Sequence, residues 1–75
     1  MLAGEMTSEL FIASNISRSL LVRLERISRG WRQLDLAEKA GVTQAEVSAL
    51  ERGRYVIPIV RRRIYQTLEL NVEEA

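Results

Sequence analysis

The stretch AGVTQAE, from Ala40 to Glu46, leaves the chain little choice of fold. Gly41 stands where a helix that must turn sharply needs a positive φ angle, which glycine adopts without a Cβ penalty. Thr43 follows as an N-cap, its hydroxyl able to accept from the free N–H groups of a new helix. Glu46, three residues on, completes a Thr-x-x-Glu capping box. Upstream, Leu36, Ala37 and Ala40 fall at helical spacing and define one apolar face. Downstream, Val47 and Leu50 define another, and Gly53 ends the second helix. Two short helices meeting at a glycine turn form a helix-turn-helix unit.

The rest of the chain reads as further helices around that unit. Helix 1 is expected from about Ser17 to Arg29, with Asn15 or Ser17 available as cap. Leu20, Leu21, Leu24 and Ile27 would form its apolar face, and Arg18, Arg23, Arg26 and Arg29 the remainder. Gly30 stops it, and Trp31 is expected to turn inward as a core plug. Helix 2 is expected over Gln33–Ala40, with Leu34 off the apolar face and an Asp35–Lys39 pair at i,i+4. Helix 3 covers about Gln44–Arg52. After the loop Arg54–Ile57, Pro58 opens helix 4, whose inner face is Val60, Ile64, Thr67 and Leu68. Asn71 could cap a further helix. No alternating strand of five residues is present. The expected fold is all-α, a compact bundle of four to five short helices, with residues 17–75 as the domain and 1–16 as a leader or arm. Leu10–Ala13 (LFIA) in that leader could be a strand, a helical turn or a sticky arm.

The chain of 75 residues contains neither cysteine nor histidine. Disulfides, thiolate metal sites, and every Ser-His or Cys-His mechanism are therefore excluded by inventory. The carboxylates are scattered over separate faces, so no catalytic constellation converges, and no metal or cofactor is expected. No apolar run approaches the roughly 20 residues of a membrane span, and no signal peptide is evident, so a cytoplasmic location is expected. The net charge of +1 conceals a partition. Residues 1–16 carry −2, residues 17–65 carry +6 and residues 66–75 carry −3. Ten of the eleven cations are arginine, which suits forked contacts to phosphate. A basic body between acidic ends fits a polyanion partner.

With these residues in view, the chain resembles the Cro/repressor (XRE-type) helix-turn-helix family. The residues that carry the resemblance are Gln33, Leu36-Ala37, Gly41-Val42, Gln44, Val47-Ser48, Leu50-Glu51, Gly53, Pro58 and Leu70-Asn71-Val72, flanked by Trp31. The resemblance covers about Leu20 to Val72. It implies a lambda repressor-like, five-helix domain that binds double-stranded DNA as a homodimer, helix 3 lying in the major groove. Gln33, Thr43, Arg52 and Arg54 match backbone-contact positions, and Gln44 matches a glutamine that reads adenine. Ala45, Glu46, Ser48 and Ala49 complete the base-facing set. Arg26 and Glu51 match a buried ion pair. The chain departs from the pattern in three ways. Arg32 replaces the usual hydroxyl cap and adds a phosphate-binding cation. Two base-facing positions are alanine. Glu46 either accepts from cytosine or serves its capping box, the latter being favoured.

The expected function is a bacterial or phage-borne transcriptional regulator, a repressor acting by operator occupancy. Arg32, Arg52, Arg54 and the band Arg61–Arg63 would bind phosphates. Tyr55, Val56, Ile57 and Ile59 form an apolar loop that either contacts a second copy or covers the core. The alternative is an antitoxin or another protein-interaction module on the same fold, with a toxin or other protein as partner.

Overall fold

A computed structural model describes residues 18–70, all of whose regular structure is helical. Helix α1 occupies 18–28, α2 Gln33–Ala40, α3 Gln44–Glu51 and α4 Pro58–Thr67. The Leu10–Ala13 run, the caps offered by Asn15 or Ser17, and any helix after Asn71 lie outside the described residues.

Each helix starts and stops for a local reason. Thr43 Oγ1 accepts from the Glu46 N–H at 3.1 Å, and a Glu46 carboxylate oxygen accepts from the Thr43 N–H at 2.9 Å. This reciprocal box satisfies two donors that the first turn of α3 leaves free. At α2 the N-cap is Arg32, which has no acceptor to offer. Asp35 compensates from the third helical position by accepting from the Arg32 N–H at 2.8 Å. Pro58 opens α4 and holds Ile57 extended, at φ −61° and ψ 149°.

The helix ends share one device. The N–H of Val42 bonds the Ala37 carbonyl at 3.0 Å while Gly41 sits at φ 72°. The same pattern closes α4, where Leu70 N–H bonds the Tyr65 carbonyl at 2.9 Å. There the left-handed residue is Glu69, at φ 58°, the one non-glycine with positive φ among the described residues.

The core gathers Val22 from α1, Leu36, Ala37 and Ala40 from α2, and Val47 and Leu50 from α3. Val56 joins from the loop, with Val60, Ile64, Tyr65 and Leu68 from α4 and its end. Fully burying a Leu or Ile side chain contributes about 1.5–3 kcal/mol, so Leu36 and Ile64, with no exposed surface, are main supports of the bundle. Tyr65 is buried too, a core residue that helical spacing from Val60 and Ile64 did not single out.

Three expectations are corrected here. The inward residue of α1 is Val22, whereas Leu20, Leu21, Leu24 and Ile27 are 49%, 38%, 53% and 55% exposed. The helix is turned because the positions beside Val22 carry Arg26 and Arg29, whose guanidinium groups find partners inside the fold. Asp35 pairs with Arg32 across 3.2 Å rather than chiefly with Lys39. Lys39 instead lies 4.9 Å from the Trp31 ring centroid, and Arg29 lies 5.6 Å from it. Trp31 is thus partly buried against the core and flanked by two cations rather than wholly enclosed.

Candidate nucleic-acid interface

The helix-turn-helix presents the outer face of α3 beside the start of α2. Gln44 and Ala45 are exposed at the first turn of α3, and Ser48 and Ala49 lie half-buried one turn further on. Ala49 packs in part against the core. Glu46 is also half-buried, and its carboxylate is engaged with the Thr43 N–H. That geometry gives Glu46 a capping task at the very end of the helix that faces outward. Thr43 itself is exposed; its Oγ1 accepts within the box, which leaves the hydroxyl hydrogen for an outside acceptor.

Gln33 begins α2, where backbone N–H groups and the positive end of the helix dipole face outward. Its side chain is not free to swing. Gln33 Nε2 donates to Glu51 Oε1 at 3.1 Å. Glu51 has no exposed side-chain surface, and its other contacts explain how a carboxylate is tolerated there. Arg26 Nε donates to Glu51 Oε2 at 2.6 Å and Arg26 Nη2 to Oε1 at 3.0 Å, a forked pair. Arg26 Nη1 donates further to the Trp31 carbonyl at 2.9 Å. Arg23 Nε stands 3.7 Å from Glu51 Oε1. One carboxylate at the end of α3 therefore holds two arginines of α1 and the first residue of α2. Sequence reading paired Arg26 with Glu51 but missed Gln33 and Arg23. No spacing rule could have found them, since Gln33 and Glu51 lie on different helices.

The cations differ in availability. Arg52 and Arg54 are exposed just beyond α3. Arg32 is exposed as well, but its guanidinium contacts Asp35. That hydrogen bond raises the Arg32 pKa further and lowers that of Asp35, with the Arg32 N–H bond adding to the latter. On α4, Arg61 donates to the Val56 carbonyl, so it secures the loop as well as carrying charge. Arg62 and Arg63 are exposed, and Arg63 reaches toward the Gly41 carbonyl at 3.4 Å. In the loop, Tyr55, Ile57 and Ile59 are 78%, 49% and 48% exposed. Val56, grouped with them from the sequence, is buried in the core and is withdrawn from any contact surface. Alternate residues of the loop face opposite ways, as an extended segment requires.

No helix among the described residues is long and apolar enough to cross a membrane. Among them no cluster of acidic residues could hold a metal ion.

An all-helical bundle with a capped second helix exposed beside the start of the first defines a helix-turn-helix protein of the XRE (Cro/C1-like) type. A family model described as helix-turn-helix matches residues 22–59, half of the chain, and the chain belongs to that family. The family is one of DNA-binding regulators, not of enzymes. Neither a curated protein nor a solved structure gave a significant match.

Proposed function

We propose that the protein is a sequence-specific regulator that places α3 in the major groove and represses by occupying its operator. The observation that carries this reading is the open outer face of α3, flanked by the outward start of α2 and by Arg52 and Arg54. Gln44 is the principal base reader, its amide suited to adenine N6 and N7. Ala45 and Ala49 touch thymine methyl groups at most, and Ser48 offers a single hydroxyl. Gln33, Thr43, Arg32, Arg52 and Arg54 hold phosphates, with Arg61 at the edge of that surface. Glu46 serves the helix cap. Arg26 and Glu51 are structural.

A homodimer reading two half-sites about one helical turn apart fits this scheme. Tyr55, Ile57 and Ile59 are its proposed contact, because three large apolar side chains stand exposed side by side after α3. Leu34, 43% exposed on α2, leaves a protein partner such as a toxin as the second reading.

The decisive experiment measures binding to the DNA upstream of the protein's own gene against random duplex at physiological salt. The reading requires a preference of about 10³-fold or more. Equal affinity for both duplexes overturns sequence-specific regulation. Co-purification of an unrelated small protein, with no DNA preference, favours the second reading.

A further inference from the structure

The polar edge of α1 lies against the helix-turn-helix. Ser19, Arg23 and Arg26 recur at four and three residues and share one side of the helix. Arg26 reaches into the fold to Glu51, at the end of α3. Ser19 abuts the loop after α3, where a Cβ placed on Gly53 would stand 3.6 Å from its Oγ. Arg23 lies between the two. Its Nε is 3.7 Å from Glu51 Oε1, the same oxygen that accepts from Gln33 Nε2 at 3.1 Å. The Arg23 guanidinium and the Gln33 amide are therefore neighbours across one atom.

We infer that Arg23 is a phosphate-binding residue of the DNA interface, placed on α1 so as to join the start of α2 to the loop that carries Arg52 and Arg54. The inference rests on the reading of α3 as a DNA-binding helix and adds α1 to that surface.

The first argument is charge. Glu51 carries one negative charge, and Arg26, forked across both of its oxygens, balances it. Arg23 adds a second cation, so the cluster of Glu51, Arg26, Arg23 and Gln33 is left net positive. The acid at the start of α2, Asp35, is engaged with Arg32.

The second argument is availability. The Arg26 side chain is 12% exposed and that of Arg23 is 49% exposed. Arg29, one turn beyond Arg26, is taken up by Glu25 and the Leu68 carbonyl. At 3.7 Å the Arg23 contact is longer than a hydrogen bond, so its N–H donors are not spent on Glu51. Arg23 can turn to an outside oxyanion without stranding the buried carboxylate, which keeps Arg26 and Gln33. Its forked donors suit a phosphate.

The third argument is position. Gln33 opens α2, and Arg52 and Arg54 follow α3. Arg23 fills the space between these proposed phosphate contacts. Two separate patches become one cationic stripe, the footprint expected against a nucleic-acid backbone.

Binding of the full chain to a mixed-sequence duplex over a range of potassium chloride concentrations tests the inference, with melting temperatures measured alongside. Arg23→Gln should reduce the slope of log affinity against log salt by about one and leave the melt close to the parent's. Arg23→Lys keeps the charge and should keep the parent slope. Lys39→Gln removes an equal charge in the last turn of α2, against Trp31, and should also leave the slope unchanged. An equal loss of slope in Lys39→Gln marks general attraction rather than a contact and overturns the inference. A slope that Arg23→Lys fails to restore overturns a contact made through charge. A lowered melt with the parent slope confines Arg23 to the Glu51 cluster and overturns its part in binding. A parent chain whose affinity does not depend on salt overturns the DNA reading itself. A steep parent slope that Arg23→Gln leaves unshifted overturns only the role given to Arg23.

Discussion

Glu51 is the residue on which the most contacts turn. Its carboxylate lies wholly inside the fold with Arg26 forked across it, Arg23 nearby and the Gln33 amide on one oxygen. Such a pair need not add net stability, since both ions were taken from water. Removing one partner is different, because the other charge is left stranded. Glu51→Ala should therefore cost about 3–5 kcal/mol, read as a clear fall in melting temperature; an unchanged melt would overturn the structural role. Glu51→Gln should be milder in packing, yet it removes the charge that two arginines face. At the other end of the same residue scale stands Gln44. It carries no structural contact comparable to those of Glu51. Gln44→Ala should lose about 1–3 kcal/mol at one base pair while non-specific binding stays nearly intact. Competition titrations against operators changed one base pair at a time will show this. Uniform weakening across all of them would remove Gln44 from the reading face.

At the scale of elements, the helices were legible where their ends carry chemistry. Pro58, Thr43 with Glu46, and Gly41 each demand one backbone conformation, and α2, α3 and the start of α4 fall where those residues put them. The orientation of α1 was not legible. Counting apolar residues favours Leu20, Leu21, Leu24 and Ile27 as the inner face, but hydrophobicity alone cannot register that Arg26 has a buried partner on α3. A charge that is paired inside the fold reverses the ordinary reading of a helical wheel. The site split along similar lines. Residues fixed by the turn, such as Thr43 and Gln44, could be placed from sequence. The link between Gln33 and Glu51, and the loss of Val56 to the core, depend on how separate elements meet. The start of α2 yields a further prediction. Asp35 takes the place of a missing hydroxyl cap, and its hydrogen bonds to Arg32 lower its pKa. A carboxyl with a lower pKa when folded adds stability above its unfolded pKa and loses it as pH falls through the folded value. Asp35→Asn should therefore melt below the parent at neutral pH. The two melting curves should converge as pH drops below the usual aspartate range of about 3.9. A gap that persists at the lowest pH would show that the carboxylate charge is not what supports the cap.

Among the described residues, charge and apolar surface are interleaved: exposed cations lie on α1, beyond α3 and on α4, while exposed leucines lie on α1 and, as Leu34, on α2. A net charge of +1 would give little general attraction for DNA. Whatever affinity exists must come from cations placed locally against phosphates. This arrangement makes a quantitative prediction about salt. Each phosphate neutralised releases condensed counterions, so log affinity falls with log salt at a slope of about −0.9 per contact on duplex DNA. Arg52 and Arg54 have open access, so Arg54→Gln should reduce the slope by about one and weaken all sequences alike. Arg32 shares its charge with Asp35, and Arg32→Gln should change the slope less than Arg54→Gln does. Binding isotherms over a range of potassium chloride concentrations give both slopes directly. If the parent chain shows no salt dependence, the arginines do not meet phosphate, and DNA is displaced as the partner of this face. If Arg32→Gln changes the slope more than Arg54→Gln, the Asp35 contact yields on binding. The start of α2 is then the main electrostatic anchor, and the loop after α3 a lesser one.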